Sequence, residues 1–534
     1  MPCRPLHAPA ALPLLAALLL AACSPAVGPP DAGPADAGPV DAGPEPTGWW
    51  RGKVFYEIFV RSFADSDGDG VGDLRGLISR LDALATPDGG TGPSLGVDAL
   101  WLMPIYPSAS YHGYDVLDYQ AVNPAYGTLA DLDALLQAAH ARGLKVILDF
   151  VPNHTSNEHP WFQDARSGGP HRDWYVWQPS APATSRWSPL NGSWYYAYFW
   201  SGMPDLNFRT PAVEQALGDA MLFWLQRGVD GFRVDGARYL VESANFSANG
   251  ISEQPETHLV LQRLHARLAA TYPDALLVGE VWADQATVAT YWGGAQEFQL
   301  AFSFDLADSL VTSLRVHSRS AVLNAIARTE LALQGQDRGY EAPFLTNHDQ
   351  VRVMRQLGGD AAAARLGAAM LMALPGTPFV YYGEELGMRG GPSGADEDKR
   401  TPMRWQATGP LLGFSSASTS WYGPLATEAG GVEVATQQAD PDSLWNLYRR
   451  LIALRHAQPA LAGRDATRAT ITVVSPADSD QPYQPLALLR SRGTSRILFV
   501  GNFGTTALGA LTLSLGGTPT VLEAEGLVGT PHAT

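Results

Sequence analysis

The chain has 534 residues, enough for several domains, and 46% of them are hydrophobic, so most of its length can bury a core. Fifty-three acidic against 36 basic residues give a net charge of −17, which repels phosphate backbones and excludes nucleic acid as a partner. Its two cysteines, Cys3 and Cys23, both precede the region that can fold, so a disulfide framework is excluded as well.

The chain opens with a basic residue, Arg4, followed by the apolar run Ala10–Ala22. That run is too short to span a bilayer as a helix and reads as a signal peptide over residues 1–22. It ends in Leu20-Ala21-Ala22-Cys23, which resembles the bacterial lipoprotein box. The resemblance implies that Cys23 carries lipid, becomes the mature N-terminus and holds the protein at a membrane, the outer membrane or cell surface by the absence of Asp at position 24. Residues 23–48 continue as a linker in which Asp-Ala-Gly-Pro recurs from Asp31, Asp36 and Asp41. With almost no bulky apolar side chains, this stretch cannot offset the entropy of ordering and reads as an extended tether.

From Trp49 onward, apolar runs of strand length alternate with helical patterns. The expected strands are Val54–Val60, Val97–Ile105, Lys145–Val151, Gly231–Asp235, Ala275–Val281, Leu300–Asp305, Phe344–Thr346 and Thr377–Tyr382. Segments such as Leu129–Arg142 and Val213–Arg227 between them carry helical spacing. Eight such units predict an α/β fold, a parallel (β/α)8 TIM barrel over 49–151 and 212–460. Residues 152–211 show no helical pattern and are rich in Trp, Tyr, Pro, Gly and Ser, which predicts a domain inserted after the third strand. Short strands at Ala466–Val474, Leu486–Arg490, Arg496–Asn502 and Leu511–Leu515 predict a C-terminal antiparallel β domain over 461–534.

Catalytic groups of a barrel enzyme lie at the C-terminal ends of its strands. Here four strands end in charged or imidazole residues, at Asp149 to His154, Arg233 to Asp235, Glu280 and His348-Asp349. Arg233 and Asp235, two apart on a strand, face the same side, so Arg233 is expected to keep Asp235 ionised as a nucleophile. Glu280, followed by Val281 and Trp282, lacks an adjacent cation in the sequence and is expected to keep a proton as a general acid. Two carboxylates in different environments, in an aromatic-rich chain, point to glycoside hydrolysis.

The segments D-F-V-P-N-H, G-F-R-V-D-G-A-R, G-E-V-W and F-L-T-N-H-D occur in the order of the four central motifs of the α-amylase superfamily, which the chain resembles from about Trp49 to its end. The resemblance implies a retaining enzyme of α-glucosidic bonds, with Asp235 as nucleophile, Glu280 as acid/base and Asp349 as transition-state stabiliser. It implies sugar contacts from His112, Tyr114, Asp115, His154, Arg233, Arg238, Trp282 and His348, and it makes 152–211 the family's domain B. Met203-Pro-Asp-Leu-Asn207 resembles a group intermediate between oligo-1,6-glucosidases and neopullulanases. Trp282 looks like amylases and neopullulanases, whereas Lys399–Trp405 resembles a glucosidase element in which Arg400 pairs with Asp115 and closes off the non-reducing end. Endo and exo action, hydrolysis and transglycosylation, on starch, maltodextrins or related α-glucans, all remain open, and a sugar-binding relative without catalysis is the third reading.

Asp65, Asp67, Asp69 and Asp73 crowd a Gly-rich loop whose oxygens suit a hard cation, and position 12 of the loop is Gly76 rather than the Glu of an EF-hand. The loop resembles the metal loop of the oligo-1,6-glucosidase side of the family. A structural Ca²⁺ is therefore expected on Asp65, Asp67, Asp69, Asp73 and the carbonyl of Val71.

Overall fold

A computed structural model describes residues 16–22 and, from 48 to 528, all but 88–91, 181–185, 244–251, 293–295, 334–340, 426–427, 429, 463–469, 475–484, 508–512 and 514–522. Cys23 and most of the expected strand Leu511–Leu515 lie outside the described residues.

Eight parallel strands form one sheet: β1 Phe55–Ile58, β2 Ala99–Leu102, β3 Lys145–Phe150, β4 Gly231–Val234, β5 Leu276–Gly279, β6 Leu300–Phe302, β7 Glu341–Ala342 and β8 Phe379–Tyr381. They pair in sequence order from β1 to β7, and β8 pairs with β1. The amides of Thr377 and Phe379 donate to the carbonyls of Glu341 and Pro343, at 2.9 Å each, so β8 also meets β7 and the sheet curls into a nearly closed barrel. Alternation splits each strand between two cores. Phe55, Trp101, Ile147, Val278, Phe302, Phe344 and Phe379 fill the barrel interior. Tyr56, Leu100, Leu148, Phe232 and Leu277 belong to the larger apolar layer that the helices complete.

The helices follow the expected spacing. Leu129–His140 starts at Thr128 with a reciprocal cap: the Thr128 side chain accepts from the Asp131 amide, and Asp131 accepts from the Thr128 amide. Pro211–Gln226 begins on its proline, where the missing N–H costs nothing. Ser443 caps Leu444–Ala457.

Two expectations need correction. The seventh strand is Glu341–Ala342 rather than Phe344–Thr346, because Pro343 has no N–H to continue the ladder. Residues 152–211 do contain a helix, Pro160–Arg166, with Pro160 at its first position and the His159 ring accepting the Trp161 amide at 3.0 Å. Its seven residues are too few to show a period. The same region holds a three-stranded antiparallel sheet of Trp177–Gln178, Trp187–Leu190 and Ser193–Tyr196.

The C-terminal sheet is antiparallel and contains Thr470–Val473, Leu486–Arg492, Ser495–Gly501 and Glu523–Val528. A fifth strand, Ala16–Ala22, lies between the last two of these and comes from the expected leader.

Candidate active site

The barrel brings the C-terminal ends of β3, β4 and β5 side by side. Asp149 pairs in register with Arg233, and Arg233 with Val278, two residues before Glu280. Arg233 is completely buried and serves three carboxylates. One terminal nitrogen donates to Asp149 and to Asp235, both at 2.7 Å, and the other lies 3.1 Å from Glu280. Glu280 thus has the cation that its sequence neighbours did not supply. The Gly236 amide donates to its Oε2 at 2.8 Å, which fixes one oxygen of the carboxyl.

Three carboxylates on one guanidinium leave an excess of negative charge, so the expected lowering of Asp235 does not hold. Burial pushes its carboxyl well above the usual range; Arg233 pulls it down, and Glu280 and Asp149 push it up again. Burial likewise lifts Asp149 to about 6 against the pull of Arg233 and His348.

A second chain of charges starts at Glu57 on β1. His348 is buried between two carboxylates: its Nδ1 lies 2.5 Å from Glu57 and its Nε2 3.2 Å from Asp349. Burial alone would lower its pKa, but Asp349 and Glu57 raise it to about 9. Asp349 resists the upward push of burial because His348, Arg400 and Arg233 hold it well below the usual carboxylate range. The Tyr114 hydroxyl donates to Asp149 at 2.9 Å and lies 2.6 Å from His348 Nε2, so it joins the two chains. His154 is neutral, driven down to about 3 by burial, and its Nε2 reaches the Tyr114 carbonyl at 3.2 Å. His112 accepts the Tyr114 amide on its Nδ1 at 3.1 Å.

Arg400 does not pair with Asp115. Its guanidinium meets Asp349 at 3.1 Å and Asp396 at 2.9 Å, and it donates to the Tyr111 hydroxyl at 3.1 Å. Asp115 is instead buried under the hydroxyls of Ser108 and Ser110. The Tyr111 hydroxyl donates to Asp396 at 2.7 Å, and its ring stacks on Trp421.

These groups surround a cavity of about 200 Å³ lined by His112, Tyr114, His154, Phe199, Met203, Asp235, Glu280, Asp349, Asp396 and Arg400. Arg233 lies behind this wall. Arg238 and Trp282 are not part of the lining: Arg238 is held by Glu253 at 2.6 Å and by the Trp282 carbonyl, and Trp282 stacks on Phe304 with 42% of its surface exposed. Glu57, Tyr111, Phe199 and Asp396 are site residues that sequence reading missed. A larger cavity of about 910 Å³ lies elsewhere, among Arg365, Leu386, Asp442 and Leu444, so size alone does not mark the site.

In the acidic loop, one carboxylate oxygen each of Asp65, Asp67 and Asp73 lie within 4.8 Å of one another. Asp69 is not in that group, and its side chain accepts the Val71 amide at 2.7 Å. Asp67 is raised: the Asp69 amide pulls it down, and burial with the charges of Asp69, Asp65 and Asp73 outweighs that pull. Clustered hard oxygens and unbalanced charge fit a divalent cation.

Residues 57–463 match the model of the alpha-amylase catalytic domain. The chain is 40% identical to alpha-amylase 3 of Dictyoglomus thermophilum over 413 residues, covering 76% of this chain and 77% of that one. It is 35% identical to the trehalose synthase/amylase TreS of Mycolicibacterium smegmatis, covering 78% and 77%. It is 31% identical to the oligo-1,6-glucosidase of Heyndrickxia coagulans, covering 77% and 86%. The crystal structure of an alpha-amylase from H. orenii superposes with a TM-score of 0.72 at 36% identity, covering 84% of this chain and 89% of that one. With the barrel, the carboxylate cluster and these likenesses together, the chain belongs to the alpha-amylase family of glycoside hydrolases and transglycosylases.

Proposed function

We propose that the protein is a retaining enzyme that takes single glucosyl units from the non-reducing ends of malto-oligosaccharides and related α-glucans. One observation carries this reading: Asp235, Glu280 and Asp349 meet in a small cavity of about 200 Å³ whose wall also includes Arg400 and Asp396, joined to each other at 2.9 Å and to Tyr111. Asp235 is the nucleophile. Glu280, with Oε2 fixed by Gly236, presents its other oxygen as the acid. In the first step Asp235 attacks the anomeric carbon while Glu280 protonates the leaving oxygen. In the second, Glu280 takes a proton from the incoming hydroxyl and the ester to Asp235 breaks. Positive charge developing on the sugar ring favours ionised Asp235 as bond breaking begins. Tyr114 lies beneath the ring, and His112, His154, Asp349 and Arg400, which line the cavity, take its hydroxyls.

Transfer to a sugar instead of water is the second reading. Phe199 and Trp282, which are 45% and 42% exposed, offer aromatic faces to an acceptor, and trehalose synthases are among the relatives. Product analysis on maltotriose, starch, pullulan, sucrose and a cyclodextrin separates the readings. Glucose from maltotriose with the cyclodextrin untouched supports end-directed hydrolysis. Longer or rearranged products support transfer. Opening of the cyclodextrin overturns the end-directed reading.

The acidic loop is proposed to hold a structural Ca²⁺ through Asp65, Asp67 and Asp73, with Asp69 and the Val71 carbonyl completing the shell. Lipid on Cys23 is proposed to tether the enzyme at the outer membrane or cell surface, where large glucans are met.

A further inference from the structure

Glu57 sits in the middle of an otherwise apolar strand, on the interior side of β1, and is 2% exposed. A carboxylate buried to that extent needs a partner. Its carboxylate meets the His348 Nδ1 at 2.5 Å. On the other side of the ring, Nε2 faces the Asp349 carboxylate at 3.2 Å and the Tyr114 hydroxyl at 2.6 Å. Tyr114 gives its own proton to Asp149, so towards His348 it acts as an acceptor. Both ring nitrogens therefore look at acceptors. A neutral imidazole has a single N–H and would set a lone pair against a carboxylate on one side. Only the imidazolium satisfies both sides.

We propose that Glu57 is a positioning residue, which keeps His348 doubly protonated and thereby holds Asp349 and Tyr114 in place against the bound sugar. The inference rests on the proposed role of the cavity as a glucosyl site. Glu57 touches no substrate and acts through His348. The ring is enclosed on every side by groups that bear on its charge: Glu57 from β1, the Trp101 ring edge-on from β2 at 5.6 Å, Tyr114 with Asp149 and Arg233 behind it, and Asp349 after β7. The Arg400 Nε donates to the His348 carbonyl at 3.1 Å while its terminal nitrogen holds Asp349. If His348 loses its proton, Nε2 no longer donates to both Asp349 and Tyr114, and the carboxylate that meets the sugar hydroxyls turns towards Arg400 alone. Gln at position 57 would accept from Nδ1–H with nearly the same shape but without the charge that retains the second proton.

The test compares the wild type with Glu57→Gln and Glu57→Asp. The imidazole ¹⁵N signals of histidine-labelled protein are followed from pH 6 to 10.5, with the His348 signal assigned by its loss in His348→Gln. The kcat and KM for p-nitrophenyl α-D-glucoside are measured over the same range. In the wild type His348 should titrate near pH 9, consistent with the charges on either side of it. In Glu57→Gln that midpoint should fall by about one pH unit or more, since one of the two flanking charges is gone. The alkaline limb of kcat should move with it, with kcat lower by ~10-fold and KM changed far less, as expected when geometry in the transition state is lost. Glu57→Asp, which keeps the charge at a longer reach, should recover part of both. A wild-type His348 that titrates below pH 7, or a Glu57→Gln pH profile that superposes on the wild type, overturns the inference. If the wild type turns over no α-glucoside, the functional reading fails, and the ¹⁵N titration still decides whether Glu57 holds the proton.

Discussion

At the scale of single residues, Arg233 holds the buried charge of the candidate site together. It is fully buried and offsets three carboxylates, of which Asp149 is also fully buried. Removing one partner of such a network strands charge in the core. Arg233→Ala should therefore destabilise the fold by about 3–5 kcal/mol, read as a lower midpoint in urea unfolding. Asp235→Asn and Glu280→Gln keep shape and should leave that midpoint near the wild-type value. Each should lower kcat by ~10³-fold or more, while a substrate still binds in equilibrium dialysis. His348 adds a pH dependence. Its folded pKa of about 9 lies above the value of about 6.5 for a free imidazole, so its contribution to stability is complete below about pH 6.5 and is lost as pH rises through 9. The shift corresponds to about 3 kcal/mol. The stability difference between wild type and His348→Gln, measured by urea unfolding, should shrink by that order between pH 6.5 and 9.5.

At the scale of elements, the acidic loop proposed to hold Ca²⁺ couples to the helix that follows it. Asp73 belongs to the carboxylate cluster and also caps Leu74–Leu84 by accepting the Gly76 amide at 2.7 Å. A bound cation is therefore expected to brace the helix start. Chelation should lower Tm, by the equivalent of ~3 kcal/mol where the metal stood at a hundred times its Kd. Asp67→Ala with Asp69→Ala should abolish the calcium dependence of Tm; an unchanged response to chelator would remove the metal from the account. The strands were legible because each is an apolar run that ends in polar residues, and the catalytic carboxylates because they follow those runs. Less was legible where chemistry is hidden by pattern or made by three-dimensional proximity. Glu57 reads as one charge inside an apolar run, which is itself a signal, since burying it requires a partner. Tyr111 and Asp396 are 285 residues apart and meet only in the fold. In the linear motif Arg400 reads as a partner of Asp115, whereas the turn Asp396–Arg400 provides a carboxylate four residues away.

At the scale of the whole molecule, the N-terminus has two descriptions, a strand in the structure and a proposed leader that is cleaved. In the structure Ala16–Ala22 forms a strand between Ser495–Gly501 and Glu523–Val528. Cleavage before a lipidated Cys23 would remove that strand and leave the C-terminal sheet to those two neighbours. Among the described residues no helix is long and apolar enough to cross a membrane. Mass spectrometry of the protein from membrane and soluble fractions should find a chain starting at an acylated Cys23. A Cys23→Ser variant should leave the membrane fraction or stay unprocessed. An intact Met1 in the wild type would instead keep the strand and exclude the anchor.

Trapping the glycosyl-enzyme intermediate separates a double displacement through Asp235 from every other route. The enzyme is incubated with 5-fluoro-α-D-glucosyl fluoride, whose ring fluorine slows the second step, then digested and mapped by mass spectrometry. One fluoroglucosyl group should be added, on the peptide containing Asp235, and be absent from Asp235→Asn. A label on another carboxylate, or fluoride release with no covalent adduct and a β-configured product, would contradict it.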